Sequence, residues 1–369
     1  MNNDVLEELV KDLNDSLKVE DVGDPQFRDD RYHEKPLEED NFNSIPKGSE
    51  DRTVSYIDGG NKELYSSPTF SIHLVRVYFN LFESGNRKDP VQIPQKIDFY
   101  TLAKAYRKND EIYYKGKIYP LKEEEERFLP SEEDLDFNSF DKSFRSGIYR
   151  GPINKLCRSA RRFAEWKIAG EIAEKELSEG DMVVGDGILH TSVPNEAIYA
   201  SEAYEKGMEN GVVVSKLAKT TKLYTTTGKN LVKAIKDLGD NFLPEQEWYY
   251  YPVAENEHPS HKAEIYFVKL YKNSDYVFRY EIYRDWAREA NKKEIESVIS
   301  SISENSKDIK FPGYPYGLVD ADKMASISEK EAERYRAMLK AHASGNKYWE
   351  EIEKHLTTTN AHEKLDKFK

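Results

Sequence analysis

The chain is poor in the features that most readily assign a protein to a class. A single cysteine, Cys157, in 369 residues excludes an intramolecular disulfide and any zinc cluster built on cysteine. No apolar run is long enough for a membrane span, and the opening Met-Asn-Asn-Asp lacks the basic and apolar regions of a secretory signal. A cytoplasmic protein with no membrane partner is expected. There is no P-loop, no GxGxxG phosphate cradle and no internal repeat. Basic residues are in deficit as well. The 55 Lys+Arg against 68 Asp+Glu leave a net charge of −13, which at first argues against a nucleic-acid partner, because binding a polyanion draws on Lys and Arg. That deficit is local. Residues 1–50 hold 15 acidic and 6 basic side chains, so −9 of the charge lies there and the remaining residues carry only −4.

What is present is a pair of Asp-Gly steps, each after a short apolar run: Val54-Ser-Tyr-Ile-Asp58-Gly-Gly60 and Met182-Val-Val-Gly-Asp186-Gly. Both runs read as strands, so two strand ends would each deliver a carboxylate. Glycine beside it lets backbone and ligand approach, a common arrangement for holding a divalent cation against a phosphate. Around them, residues 3–18 space Val5, Leu6, Leu9, Val10, Leu13 and Leu17 as an amphipathic helix, and residues 19–50 read as an extended connection. A compact domain is expected over 51–345, with strands at 53–57 and 70–82, and 83–150 read as an irregular insertion holding a hairpin near 111–119. A long helix (to about 177), the second Asp-Gly strand, a helix near 195–208, a strand at 212–215 closing with Lys216, a hairpin (263–270 with 276–283) and further helices follow. Residues 346–369 read as a polar tail. The order is that of an α/β fold.

Periodicity selects a third carboxylate. Glu165 lies three, four and seven residues before Ile168, Ala169 and Ile172, on the apolar face of its helix, whereas Glu171 and Glu174 lie toward the polar side. A buried carboxylate needs a partner, either a cation such as Arg161 or Arg162, or a metal. Asp320 and Asp322 sit near the start of a short helix after Pro315 and Gly317, where capping is one role and ligation another. Basic residues cluster at Arg158, Arg161, Arg162 and Lys167, and again at Lys216, Lys219, Lys222, Lys229, Lys233 and Lys236; each cluster is either a solvated face or a nucleic-acid contact. Trp248-Tyr-Tyr-Tyr251 reads as core or edge strand rather than a base-stacking platform. His190, His258 and His261 lack metal-site spacing.

Ile57-Asp58-Gly59-Gly60, Arg161-Arg-Phe-Ala-Glu165-Trp166, Asp186-Gly187-Ile-Leu189, Val213-Val-Ser-Lys216 and Gly313-Tyr-Pro-Tyr-Gly-Leu-Val-Asp-Ala-Asp322, in this order and spacing, resemble the NurA nucleases over about residues 51–340. The resemblance implies an RNase H-like, Argonaute-PIWI-like mixed sheet flanked by helices, and Mn2+- or Mg2+-dependent hydrolysis of DNA. It implies metal ligands at Asp58, Glu165 and Asp186 and a last one at Asp322, where many relatives carry His. Lys216 falls where the family has a lysine near the substrate, and Arg158, Arg161, Arg162, Lys216, Lys219 and Lys222 become candidate DNA contacts. The resemblance further implies single-strand endonuclease and 5′–3′ exonuclease activity on single strands and duplex ends, in DNA end processing and double-strand break repair. The expected assembly is a homodimer docked on a HerA-type hexameric ATPase. An actin-like ATPase or kinase, which also sets Asp-Gly at strand ends, and a catalytically silent DNA-binding scaffold subunit are the competing classes.

Overall fold

Residues 53–66 form one long strand, because Thr53 to Ile57 are all buried and the glycines at 59 and 60 let the run continue beneath packed helices. The computed structural model describes residues 3–17, 22–48, 51–344 and 348–359. The chain opens with helix α1 (Asn3–Leu17) and strands β1 (Pro25–Gln26), β2 (Tyr32–Glu34) and β3 (Phe42–Ser44). A block of strands follows: β4 (Thr53–Ser66), β5 (Phe70–Glu83), β6 (Asn86–Lys88), β7 (Lys96–Lys108), β8 (Glu111–Pro120) and β9 (Asp136–Asn138). Next come α2 (Asn154–Lys175), β10 (Met182–Asp186), α3 (Glu196–Glu209), β11 (Val213–Ala218), β12 (Tyr224–Thr225) and α4 (Leu231–Phe242). The remainder comprises β13 (Trp248–Tyr250), β14 (Ala254–Asn256), β15 (Ala263–Lys269), β16 (Phe278–Tyr283), α5 (Arg284–Glu289), α6 (Lys292–Glu304), α7 (Tyr316–Ala325), α8 (Glu329–Ser344) and α9 (Tyr348–Thr359). Among the described residues no helix is long and apolar enough to cross a membrane.

The chain divides into two units. One comprises Met1–Glu50, Gly187–Leu189 and Ser215–Tyr316, the other Asp51–Asp186, His190–Val214 and Gly317–Lys369. The second holds a mixed sheet in the order β10-β4-β5-β7-β8-β9, with β6 beside β5. Only β10 runs parallel to its neighbour β4; the other pairs are antiparallel. Helix α2 lies on one face of this sheet and is itself covered by α3, which explains why it is buried almost all round, from Leu156 and Cys157 to Ile172 and Ala173. On the other face α7 runs along β4, close enough that a Cβ on Gly317 would overlap the Tyr56 ring.

The segment 83–150, expected to be an irregular insertion, belongs to the sheet instead. β7 and β8 are a regular hairpin in register from Phe99↔Pro120 to Lys108↔Glu111, turned by Asn109 and Asp110, both in the left-handed region that a two-residue hairpin turn requires. Its outward positions are charged, so it lacks the apolar run that marks β4 and β5. The expected polar tail also contains structure, since 348–359 form α9; residues 360–369 lie outside the described residues.

The first unit is an antiparallel sheet in the order β3-β13-β15-β16-β11, with two small pairs, β1-β12 and β2-β14. Residues 22–48, expected as a loose extension, supply β1, β2 and β3 to this unit. A single domain over 51–345 is therefore replaced by a division in which residues 215–316 cluster with the N-terminal segment. The reason lies in the core of this unit, where Trp248, Tyr250, Ile265 and Phe267 are joined by Phe42 and Tyr32 from that segment. The helix expected at 3–18 is present as α1, with Val5, Leu6, Leu9, Val10 and Leu13 exposed.

Candidate metal centre

Asp58 is the sixth residue of β4, not its end, because the strand continues for eight residues past it. β10 does stop at its aspartate, Asp186. The parallel register pairs Met182 with Val54 and runs to Gly185 with Ile57, so one further step sets Asp186 level with Asp58. Residues at equal register on adjacent strands share a face and stand about 5 Å apart. Asp181 fixes that register: its Oδ1 accepts from Thr53 N at 2.7 Å and its Oδ2 from Ser178 N at 2.9 Å, tying the start of β10 to the start of β4. Sequence reasoning passed over Asp181 as part of a turn. Its signal was a carboxylate immediately before a strand that must align with another.

The face carrying Asp58 is the α7 face, since Tyr56 meets α7 at Gly317, and Gly60 meets the end of α7 at Ala325. Asp320 and Asp322 lie within α7 rather than at its N-terminal end, so neither caps it. Asp320 is committed to β5 and β6: its Oδ2 accepts from Asn80 Nδ2 at 2.9 Å and from Arg87 Nη2 at 2.7 Å. Asn80 Nδ2 also donates to Gly317 O at 2.9 Å. Two residues are about 200° of helix turn, so Asp322 occupies a different flank of α7 from Asp320, and it is exposed. Asp58 and Asp186 thus belong to the face that α7 covers. Arg76, Tyr78 and Asn80, at alternate positions of β5, serve that face: Arg76 binds Asp98 of β7 at 2.7 Å and Glu331 of α8 at 2.6 Å, fixing the α7–α8 junction onto the sheet. Three polar-tipped residues at period two, Arg76, Tyr78 and Asn80, were the visible signal.

Glu165 arrives from the other face. A Cβ on Gly59 would lie 2.2 Å from Glu165 Oε1, so this carboxylate rests directly on the β4 backbone one residue past Asp58, where β10 has ended. Arg161 pairs with Glu165 at 2.8 Å and donates to Gly59 O. The ion pair weighed from periodicity is therefore made by Arg161. Even so, Glu165 Oε1 is a buried oxygen without a hydrogen bond of good geometry. Asn154, Arg158, Arg161 and Glu165 form one stripe of α2, at spacings of four, three and four. Asn154 donates to Glu63 Oε2 at 3.1 Å, and the exposed Arg158 lies within electrostatic reach of that carboxylate, which His73 and Asn154 hold below its usual range.

Other expected residues resolve differently. Arg162 is no surface contact: it pairs with Glu196, whose side chain is 0 % exposed and also accepts from Trp166 Nε1 and Ser192 N. A buried carboxylate needs such a cation. Glu171, expected on the polar side, is buried and held by Lys175 and Lys206. In the other unit Lys216 is the fourth of six residues in β11, not its end, half-buried and opposite the wholly buried Glu281. Lys219 and Lys222 are exposed in the segment after β11. His261 bonds Glu281 and Tyr32, a structural engagement.

Among the described residues no group of three or more His, Cys, Asp or Glu side chains is arranged to hold a metal ion. The residues nevertheless fit a hard divalent cation of the Mg2+ type. Such ions bind proteins through one or two carboxylates and keep water and substrate phosphate in the remaining positions. Asp58 and Asp186 level on one face, with the Glu165 carboxylate, paired to Arg161, against the adjoining Gly59 backbone, are that donor set.

The sequence profile of the NurA domain matches residues 57–327. No curated protein matches the chain in sequence. Among solved structures, the NurA nuclease from Sulfolobus solfataricus superposes with a TM-score of 0.51 at 12 % identity, covering 94 % of this chain and 98 % of that one. A second NurA structure gives a TM-score of 0.43 at 11 % identity, covering 83 % of this chain and 90 % of that one. The likeness to the first extends over nearly the whole of both chains and establishes a shared mixed α/β fold, a large sheet flanked by helices.

Proposed function

The chain belongs to the NurA family, and from that premise we propose that it is a divalent-metal-dependent DNA nuclease whose centre is built on Asp58 and Asp186. The observation that carries the reading is the register of β10 on β4, which brings two carboxylates level at the point where β10 ends. Asp58 and Asp186 would hold Mn2+ or Mg2+, Glu165 would contribute from the α2 face and Asp322 from α7. When bound, the cation supplies charge neutralisation at the scissile phosphate and a water made more acidic. The protein's own groups do the rest. Gly59 leaves room for the Glu165 carboxylate against β4, Gly60 lets the end of α7 pack on the same strand, and Arg161 fixes the Glu165 carboxylate. Arg158 meets phosphate from the α2 stripe, and Lys216, Lys219 and Lys222 are the phosphate contacts proposed on the other unit. Single-strand endonuclease and 5′–3′ exonuclease activity in DNA end processing and break repair, a cytoplasmic homodimer and a HerA-type hexameric translocase complete the proposal.

The test is incubation of the purified protein with 5′-labelled single- and double-stranded DNA in Mn2+, Mg2+ or EDTA. Cleavage with metal and none in EDTA is expected, and Asp58→Asn should lose cleavage while keeping its circular dichroism spectrum. Digestion by Asp58→Asn at the wild-type rate would refute the centre. Nucleotide-dependent thermal stabilisation without cleavage would point to an ATPase instead, and intact DNA under every condition to a scaffold.

A further inference from the structure

Between β9 and α2 the chain makes a loop, residues 139–151, that belongs to no helix or strand yet is held from within. Its ends are joined by Gly151 N donating to Ser139 O at 2.8 Å. Phe144 turns inward and is wholly buried, its ring centroid 5.3 Å from Phe137 and 6.0 Å from Tyr114. Lys155 of α2 donates to Ser143 O at 2.9 Å and Phe144 O at 2.8 Å, and the Asp141 carboxylate accepts from Ser143 N at 2.8 Å and from the Ser143 hydroxyl. A closed, internally bonded loop of this kind presents its outward side chains in a fixed place.

Outward it carries apolar surface and unpaired charge together. Tyr149 N donates to Ser146 O at 3.0 Å and Ser146 N to Tyr149 O at 3.1 Å, across a turn in which Gly147 takes a φ of 60°. At the tip so formed Ile148 is 80 % and Tyr149 72 % exposed, with Phe140, 41 % exposed, near the start of the loop. Lys142, Arg145 and Arg150 are all exposed, and among the described residues none of the three pairs with a carboxylate; Arg150 lies 5.0 Å from the centre of the Phe140 ring. The single acidic side chain, Asp141, is spent inside the loop. Three cations less one carboxylate leave the segment at +2 in a chain of −13. Elsewhere in the same unit arginines are matched, Arg76 by Asp98, Arg161 by Glu165 and Arg162 by Glu196.

Unpaired cations interleaved with open aromatic surface suit a polyanion with flat apolar faces, which is a nucleic-acid strand. Inside a duplex each base face is covered by its neighbour, so Tyr149 finds an open one in a single strand. The place of the loop favours a strand over an acidic protein surface. Gly151-Pro152 leads straight into α2, where the exposed Arg158 continues the basic residues along the stripe that ends at Glu165. From Asn154 to Glu165 is about 16 Å of helix, a span of a few nucleotides. We propose that loop 139–151 anchors single-stranded DNA, a base stacking on Tyr149 beside Ile148 and the flanking phosphates meeting Arg145 and Arg150. The inference rests on the nuclease reading for its ligand, and adds a holding site displaced from the carboxylates along α2.

The test is binding by the full chain in EDTA, which withholds the metal. A fluorescein-labelled single-stranded oligonucleotide is followed by anisotropy over a range of salt, and the same strand carrying 2-aminopurine by quenching. Tyr149→Phe should bind within about twofold of wild type, and Tyr149→Ala about tenfold more weakly with less quenching, the range of one base–aromatic stack. Arg145→Gln combined with Arg150→Gln should lower the slope of log K against log salt by about 1.4, the value of two single-strand phosphate contacts. All three positions are exposed, so each variant should keep the wild-type circular dichroism spectrum. Wild-type affinity and salt slope in these variants would overturn the proposal. So would unchanged DNA binding accompanied by a fall in sedimentation mass, which would make the loop a contact with another copy of the chain. The nuclease assay fails separately: cleavage by a wild type whose binding ignores the substitutions keeps the nuclease and removes the anchor, whereas substitution-sensitive binding without cleavage in any metal keeps the anchor and removes the nuclease.

Discussion

Gly59 and Gly60 are neighbours on β4, yet a methyl group added to each should have opposite consequences. At Gly59 the new Cβ would lie 2.2 Å from Glu165 Oε1 and 2.9 Å from its Cδ. Ordinary contact begins near 3.4 Å, so the carboxylate must retreat by about 1 Å. It can do so, because it is the end of a long side chain and turns about its own torsions. Gly59→Ala should therefore cost about 1 kcal/mol of stability, at the low end for overpacking. The same shift moves Glu165 off β4 and disturbs Arg161, which donates to Gly59 O. A misplacement of about 1 Å at a reacting centre is worth up to about 100-fold in rate. At Gly60 the new Cβ would lie 2.1 Å from Ala325 O and 2.8 Å from Ala325 C, backbone atoms with no torsion to escape by. Gly60→Ala should cost about 3 kcal/mol or more by forcing the end of α7 off the sheet. The assays are urea unfolding for both proteins and the rate of DNA cleavage at saturating Mn2+. Gly59→Ala that cleaves at the wild-type rate would remove Glu165 from the centre, and Gly60→Ala of wild-type stability would refute the packing of α7 on β4.

Asp320→Asn should retain most of the cleavage activity, because Asp320 is engaged with Asn80 and Arg87, whereas Asp322→Asn should reduce it at least tenfold; equal losses measured in the same assay would refute their separation on α7. Arg162→Met should destabilise the fold by about 3–5 kcal/mol in urea unfolding, since it leaves Glu196, 0 % exposed, without its cation. Glu281 is depressed to about 2 from an ordinary 4.5 by Arg279 and His261 against the opposing effect of burial. Its ionised form is therefore favoured in the folded chain, and the stabilisation is complete above pH 4.5 and lost as pH falls toward 2. Acid unfolding of wild type and Glu281→Gln should accordingly converge across that window, and parallel curves would contradict it. Asp181→Ala should weaken both stability and cleavage, the first by about 1–3 kcal/mol, because Thr53 N and Ser178 N lose their shared acceptor.

How much was legible depended on range. The α2 helix, the β4–β5 pair, the β15–β16 hairpin and the burial side of Glu165 follow from local periodicity, and each is present within a few residues of its expected bounds. The hairpin expected near 111–119 is instead the single strand β8, and its partner β7 was hidden because the outward faces of both are charged, so sheet membership rested on neighbours rather than on their own apolarity. The continuation of β4 past Asp58 was hidden for the opposite reason: two glycines read as an end to a strand, and only helices packed closely above and below show why the strand needs them. Arg162 and Arg161 are adjacent in sequence and alike in charge; that one serves Glu196 and the other Glu165 is set by which side of α2 each occupies.

By itself the sequence determined the inventory: which carboxylates follow apolar strands, which glutamate faces inward on its helix, and a set of blocks whose order matches a nuclease family. These are properties of neighbours along the chain, governed by strand and helix periods of two and 3.6 residues. Only the tertiary structure decided that Asp186 stands level with Asp58, that Asp320 is committed to Asn80 and Arg87 while Asp322 lies on another flank of α7, and that Glu165 approaches the same stretch of β4 from the opposite face. Register, helix rotation above a sheet and the face from which a side chain arrives are relations between segments more than a hundred residues apart. They are fixed by long-range hydrogen bonds such as Asp181 to Thr53 and Asn80 to Gly317, which no local pattern encodes.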